Sequence, residues 1–171
     1  MNKTRLIVSA LLPLFLVACA SSKIISLPAS GKLAHVVKSI AVEPEGKLLA
    51  DAVAVQLGGR GFTIIDHATT ARLMARLNLN EIDLTRAEGL AKLRGQGIDA
   101  LLSVRAMGGY DNQPENATAT FTSTHTGGLI TAITWQNARA GQSGSLADRN
   151  VRKGLIEAAS EIAEALAKRI Q

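Results

Sequence analysis

Cysteine occurs once in this chain, at Cys19, and aromatic residues are scarce: three Phe, one Trp and one Tyr in 171 residues. A single thiol excludes an intrachain disulfide and any cysteine cluster for a metal. With so few aromatics the core falls to Leu, Ile, Val and Ala, and a hydrophobic fraction of 47% supplies enough of them. The apolar run Leu6–Ala18 is broken by Ser9 and Pro13 and falls short of the roughly 20 residues of a transmembrane helix. The only histidines are His35, His67 and His125, and no pair has a metal-ligand spacing such as His-x-x-x-His. There is no internal repeat. Low-complexity sequence is confined to one short Ser-rich stretch after Cys19.

What is present begins at the amino terminus. Met1–Arg5 carries Lys3 and Arg5, the apolar run follows, and small residues lead into Cys19. This is the pattern of a secretory signal, which is set aside before the fold is considered. The tetrad Leu16-Val17-Ala18-Cys19 resembles the bacterial lipobox. That resemblance implies cleavage before Cys19, diacylglycerol on its thiol and a further acyl chain, such as palmitate, on its amino group. Two or three chains hold a protein firmly to a bilayer, where one holds it only marginally. Ala20 and Ser21 follow the cysteine where an Asp would favour inner-membrane retention. By analogy with Gram-negative lipoproteins this implies an outer-membrane anchor facing the periplasm. An ordinary signal peptide, with Cys19 a bystander, is the alternative.

The expected organisation is a signal peptide over 1–18, a lipidated cysteine and flexible linker over 19–34, and a single α/β domain over 35–171. Loss of Lys3 and Arg5 lowers the net charge from +5 to +3. The positive residues are scattered, which suits a surface beside anionic phospholipid or peptidoglycan and calls for no nucleic-acid partner. The linker's Ser21, Ser22, Ser26, Pro28, Ser30 and Gly31 read as loop, with an extended reach of about 50 Å.

The domain then alternates. His35–Val42 is β-branched and predicts a strand ended by Pro44; Lys47–Leu57 has helical spacing and is stopped by Gly58-Gly59-Arg60-Gly61. Phe62–Ile65 predicts a short strand closed by Asp66, and Thr69 or Thr70 caps a helix over about 71–77. Thr85-Arg86-Ala87-Glu88 has the form of a capping box for a helix through Leu93, and Ile98–Met107 is apolar enough for a central strand. Ala117–Thr124 alternates, with Thr118, Thr120, Thr122 and Thr124 on one face. Leu129–Trp135 alternates again after the turn Thr126-Gly127-Gly128, which makes the two runs an antiparallel hairpin. Val151, Leu155, Ala158, Ala159, Ile162, Leu166 and Ile170 mark one face of a long closing helix. The fold class is therefore α/β (α+β): a mixed sheet of about five strands in the order β-α-β-α-α-β-β-β-α, with an antiparallel hairpin and a long C-terminal helix.

Strand 35–42, Gly61-Phe62-Thr63-Ile64-Ile65-Asp66, Gly97-Ile98-Asp99-Ala100-Leu101-Leu102 and Thr126-Gly127-Gly128-Leu129-Ile130 before a Trp together resemble one group of envelope domains. The group comprises the periplasmic α/β domains of curli-secretion channel lipoproteins, the penicillin-binding-protein activator lipoproteins, and the amino-terminal domain of the Tol-system propeller protein. The likeness spans about 36–170. It implies a tethered domain that recognises another envelope protein, or a homo-oligomeric assembly. The curli-type channel puts two transmembrane hairpins per subunit into its barrel, and this chain offers one. The activators cross the peptidoglycan on a long linker, which 19–34 is too short to do.

Catalytic patterns are weak. His67 beside Asp66 is the best acid–base pair, but neighbours on an extended chain point to opposite faces. Asp99 with Arg105 or Asp66 reads as a solvated ion pair at strand ends. Gly58-Gly59-Arg60-Gly61 follows a helix and precedes a strand, the reverse of a phosphate cradle. Ser143 and Ser145 lie in no Gly-x-Ser-x-Gly elbow. No catalytic, cofactor or metal residue is assigned, and the chain is expected not to be an enzyme. The candidate interaction residues are Thr118, Thr120, Thr122, Thr124 and Trp135, and the lipidation residue is Cys19. The expected function is a non-catalytic, protein-binding accessory or assembly factor of a cell-envelope complex (secretion or cell wall). The alternatives are a subunit of a small lipoprotein pore of the curli-secretion type, and an enzyme or small-ligand binder. Mass spectrometry of the detergent-solubilised chain is expected to show 153 residues starting at an acylated Cys19. An unacylated, soluble species would undo the membrane reading.

Overall fold

The computed structural model describes residues 22–27, 35–45, 47–108 and 113–170. The lipobox-like tetrad Leu16-Val17-Ala18-Cys19 lies outside the described residues. Among those described, six strands form one mixed sheet: β1 (Lys23–Ser26), β2 (Ser39–Val42), β3 (Thr63–Ile65), β4 (Ala100–Gly108), β5 (Pro114–Ser123) and β6 (Leu129–Gln136). Their order across the sheet is β1-β6-β5-β4-β2-β3. β4 is the seam. It pairs in parallel with β2 through Ile40↔Ala100 and Val42↔Leu102, and antiparallel with β5 through Leu102↔Phe121 and Val104↔Ala119. Its first residues, Ala100, Leu101 and Leu102, are buried on both faces, as a near-continuous apolar run requires.

Period-2 alternation sends Leu102, Val104, Ala117, Ala119, Phe121, Ile133 and Trp135 to one side of the sheet. Two helices cover them: α1 (Leu48–Gly58), through Leu49, Val53 and Leu57, and α5 (Leu155–Ile170), through Ala158, Ile162, Leu166 and Ile170. Alanines on α5 (Ala158, Ala159, Ala163) and on α1 (Ala50, Ala54) keep the facing surfaces small where the two helices share this core. On the other side α2 (His67–Arg76) and α3 (Ala87–Arg94) build a second, smaller core. Leu73, Met74, Leu84 and Leu93 pack there on Ala41, Ile98 and Leu101. α2 and α3 serve only the β2–β4 half. The β5–β6–β1 half of that face carries no helix among the described residues.

The predicted fold class stands, with four local corrections. Lys23–Ser26, expected within a flexible linker, is an edge strand paired antiparallel with β6 (Lys23↔Gln136, Ser26↔Ile133). The closing helix is two helices, α4 (Leu146–Val151) and α5, separated by Arg152–Gly154. The break is held by Asn137, whose amide accepts the Lys153 N–H at 2.8 Å and donates to the Lys153 carbonyl at 2.9 Å, replacing helical partners. The cap of α2 is Asp66, which accepts the Thr69 N–H at 2.9 Å, so the helix starts four residues before 71. The Thr85–Glu88 capping box does not form. A 3-10 turn, Ile82–Thr85, takes the Thr85 hydroxyl onto the Ile82 carbonyl at 2.7 Å, and Arg86 stands uncapped before α3.

That turn presses on Gly89, where a Cβ would overlap the Asp83 carbonyl oxygen. A backbone atom cannot step aside as a side chain can. Gly89→Ala is therefore expected to destabilise the domain by about 1–3 kcal/mol, overriding the helix propensity it gains, as read from the urea unfolding midpoint.

Candidate interaction surface

The face left open by the helices is built from four strands in register. Arg105 on β4 lies opposite Thr118 on β5, Thr118 opposite Thr134 on β6, and Thr134 opposite Ile25 on β1. The next row is Ser103, Thr120 and Ala132, and the row beyond Thr118 is Met107, Asn116, Gln136 and Lys23. Thr118 is exposed, Thr120, Thr122 and Thr134 are half-buried, and Ile25 and Met107 stand out at 48% and 67% exposure. β-branched threonines suit a pleated surface and carry a hydroxyl each. The sheet ends on this side at β1, which pairs with β6 alone among the described residues and so leaves its outer backbone edge open.

β1 is held by side chains as well as by its ladder. The Glu161 carboxylate on α5 accepts the Trp135 indole N–H at 2.7 Å, the Ser22 hydroxyl and the Lys153 ammonium. At the other end of the strand, Arg169 donates to the Ser26 hydroxyl at 2.7 Å. Partial burial pushes the Glu161 carboxyl up. Lys153, the Ser22 hydroxyl and the Trp135 N–H together outweigh it and hold the group below its ordinary value of 4.5.

Two of the sequence-predicted interaction residues are misplaced for contact. Trp135 is wholly buried beneath α5, because its position in the β6 register is a core position. Thr124 falls past the end of β5, where alternation stops. It is 2% exposed and donates to the Ile98 carbonyl at 2.6 Å. Thr118, Thr120 and Thr122 share the open face as expected. Ile25, Met107 and Thr134 belong to it too. The first was hidden in the expected linker, and the other two follow only once strand register is known.

The titratable groups also sort differently from the sequence reading. His67 pairs with Asp51 of α1 at 2.7 Å and not with Asp66, which is occupied as a cap. Asp99 accepts the backbone N–H groups of Lys38 and Ser39, both at 2.9 Å, and lies 3.5 Å from His125, against which His35 stacks at 4.3 Å. It meets neither Arg105 nor Asp66. Burial pushes the Asp99 carboxyl up, but Ser39, Lys38 and His125 outweigh it and lower it. Among the described residues no three His, Cys, Asp or Glu side chains gather as a metal site would require. A cleft of about 250 Å³ between Glu43, Glu45 and Lys47 and the β4 residues Ser103 and Arg105 mixes both signs of charge. A groove of about 490 Å³ runs along Pro44, Met74, Leu79 and Ile82.

Because Glu161 is lowered in the fold, it stabilises the domain above its unfolded value, and that contribution is lost as pH falls through the folded one. Glu161→Gln is expected to lower the urea midpoint at neutral pH. Its deficit against the native chain should shrink as pH drops below 4.5, and a constant deficit would refute the assignment.

No protein-family model matches the chain, and no curated protein matches it by sequence. Solved structures resemble it in fold. A point variant of the PelC dodecamer subunit of Paraburkholderia phytofirmans is 17% identical, with a TM-score of 0.48 over 88% of this chain and 99% of that one. Lipoprotein GNA1162 of Neisseria meningitidis is 16% identical, with a TM-score of 0.44 over 78% of this chain and 99% of its own. The LpoB C-terminal domain of Escherichia coli is 16% identical, with a TM-score of 0.39 over 67% of this chain and 90% of its own. At these values the likeness is one of general chain course, and no residue's role passes across it.

Proposed function

We propose that this chain is an envelope lipoprotein, anchored through acylated Cys19 in the outer membrane, whose domain binds an envelope protein and carries out no catalysis. The observation that supports it most is the half of the sheet face left uncovered beside the open β1 edge. There Thr118, Thr120 and Thr134 offer hydroxyls, Ile25 offers apolar contact, and a partner strand can add to β1. The lipobox supports the anchor. Ala20 and Ser21 after the cysteine support the outer membrane.

A pore formed by the β5–β6 hairpin fits less well. The hairpin lies inside the sheet, and its apolar face (Ala117, Ala119, Phe121, Ile133, Trp135) is packed under α5, so that face is not available to lipid. Assembly of copies without a barrel has a structural support of its own. The sheet ends in two unlike edges, β1 and β3, and pairing unlike edges head to tail builds a ring or a filament.

Photo-crosslinking residues at Thr118, Thr134 and Ile25 in intact cells test these readings, with His67 on the opposite flank as control. Adducts of one discrete mass at the three sheet positions and not at 67 support a partner on the open face. Adducts at multiples of the chain's own mass support assembly. Yields at all three sheet positions no higher than without irradiation would sink the open-face reading.

A further inference from the structure

We propose that the end of the sheet at which β1 begins rests against the bilayer, making that end a lipid-docking surface; this rests on the reading that Cys19 is acylated. Only Ala20, Ser21 and Ser22 separate Cys19 from Lys23, the first residue of β1. Fully extended, that stretch reaches about 14 Å. A domain of this size has a radius of gyration of about 14–15 Å, so the tether is too short for the domain to turn its far end to the membrane.

What lies at the anchored end follows from register. Lys23, Gln136, Asn116 and Met107 form one row across β1, β6, β5 and β4, a span of about 14 Å. The segment that follows β6 is fastened to this same end. The Asn137 N–H donates to the Glu115 carbonyl at 2.8 Å, Arg139 pairs with Glu115, and the Lys153 ammonium reaches the Ser22 hydroxyl at 3.0 Å. That segment carries α4 and the first turn of α5. Three large apolar side chains therefore stand exposed around the start of β1: Met107 at 67%, Leu146 at 78% and Ile156 at 60%. Lys23 and Arg149 are exposed beside them, Arg139 is shared with Glu115, and Glu157 is the exposed acid. Apolar side chains rimmed by cations are what an anionic phospholipid surface takes up, and a domain already held there needs only weak contacts of this kind. Val36 and Leu129, also exposed, belong to the opposite end; Leu129 lies about 24 Å from Gln136 along β6.

The test uses the full acylated chain in vesicles of phosphatidylethanolamine and phosphatidylglycerol containing a headgroup-labelled nitroxide lipid. With the Cys19 thiol consumed by its thioether, Met107→Cys, Ile156→Cys, Val36→Cys and Leu129→Cys each give one site for a fluorophore. All four positions are exposed, so the labels leave the core untouched. Quenching by the nitroxide is expected to be several-fold stronger at 107 and 156 than at 36 and 129. An acylated, vesicle-bound chain quenched evenly at all four, or more at 36 and 129, would overturn the docking surface and leave the anchor standing. Labels at 107 and 156 shielded from aqueous iodide yet insensitive to the nitroxide would assign this end to a protein and also overturn it. A chain that mass spectrometry shows unacylated, and that fails to float with the vesicles, would remove the anchor and the proposal together.

Discussion

A partly buried carboxylate must find donors or remain protonated, and Glu161 finds three. One is the only Trp in the chain, one is the residue just before β1, and one is the lysine at the break between α4 and α5. Through this group the sheet, the amino-terminal strand and the closing helix are set relative to one another. Without it β1 would keep its four paired positions with β6 and its contact to Arg169. A ladder that short on a sheet edge holds poorly alone. The position of β1 in turn decides which end of the domain the amino-terminal segment reaches.

The sheet is unevenly dressed. One face is closed along most of its width by α1 and α5; the other is closed only where α2 and α3 sit over β2–β4. The uneven cover has a cause in sequence. The strand residues aimed at the covered side are Leu, Val, Phe, Ile, Trp and Ala, whereas those aimed at the open side of β5 and β6 are mostly Thr, Asn and Gln, with Ala132 and Leu129. A face of that composition tolerates water and gains little by acquiring a helix of its own. It remains free to gain from a partner that supplies hydrogen bonds.

Much of this was legible from periodicity. The helix face of α5, the central strand and the β5–β6 hairpin follow from residue spacing, whereas α1 is apolar nearly all round and leaves Leu48 and Val55 exposed. What escaped was set by contacts distant in sequence. Lys-Ile-Ile-Ser has no alternation and sits among Ser, Pro and Gly, and it becomes a strand because β6 lies beside it. Asp66 outcompeted Thr69 as a cap by standing where the strand already ended, and a Thr–Glu pair with ideal spacing lost its box to a 3-10 turn. On the candidate surface, three of four threonines were placed correctly by alternation. Thr124 was not, since alternation carries no meaning beyond the last paired residue. Trp135 has the composition of an anchor for a partner, but its indole N–H is already committed to a carboxylate 26 positions away.

The direction in which the chain enters β1 has a mechanical side. Any tension borne by the segment ahead of β1 arrives at Lys23 and is passed into a strand lying antiparallel to β6. Tension along the strand axis loads Lys23↔Gln136 through Ser26↔Ile133 together, as a lap joint is loaded in shear. Tension across the strand would instead peel the same pairs apart singly, as a zip opens. The domain therefore resists being dragged along β1 far better than being lifted off sideways, and its six-stranded sheet has a strong axis and a weak one.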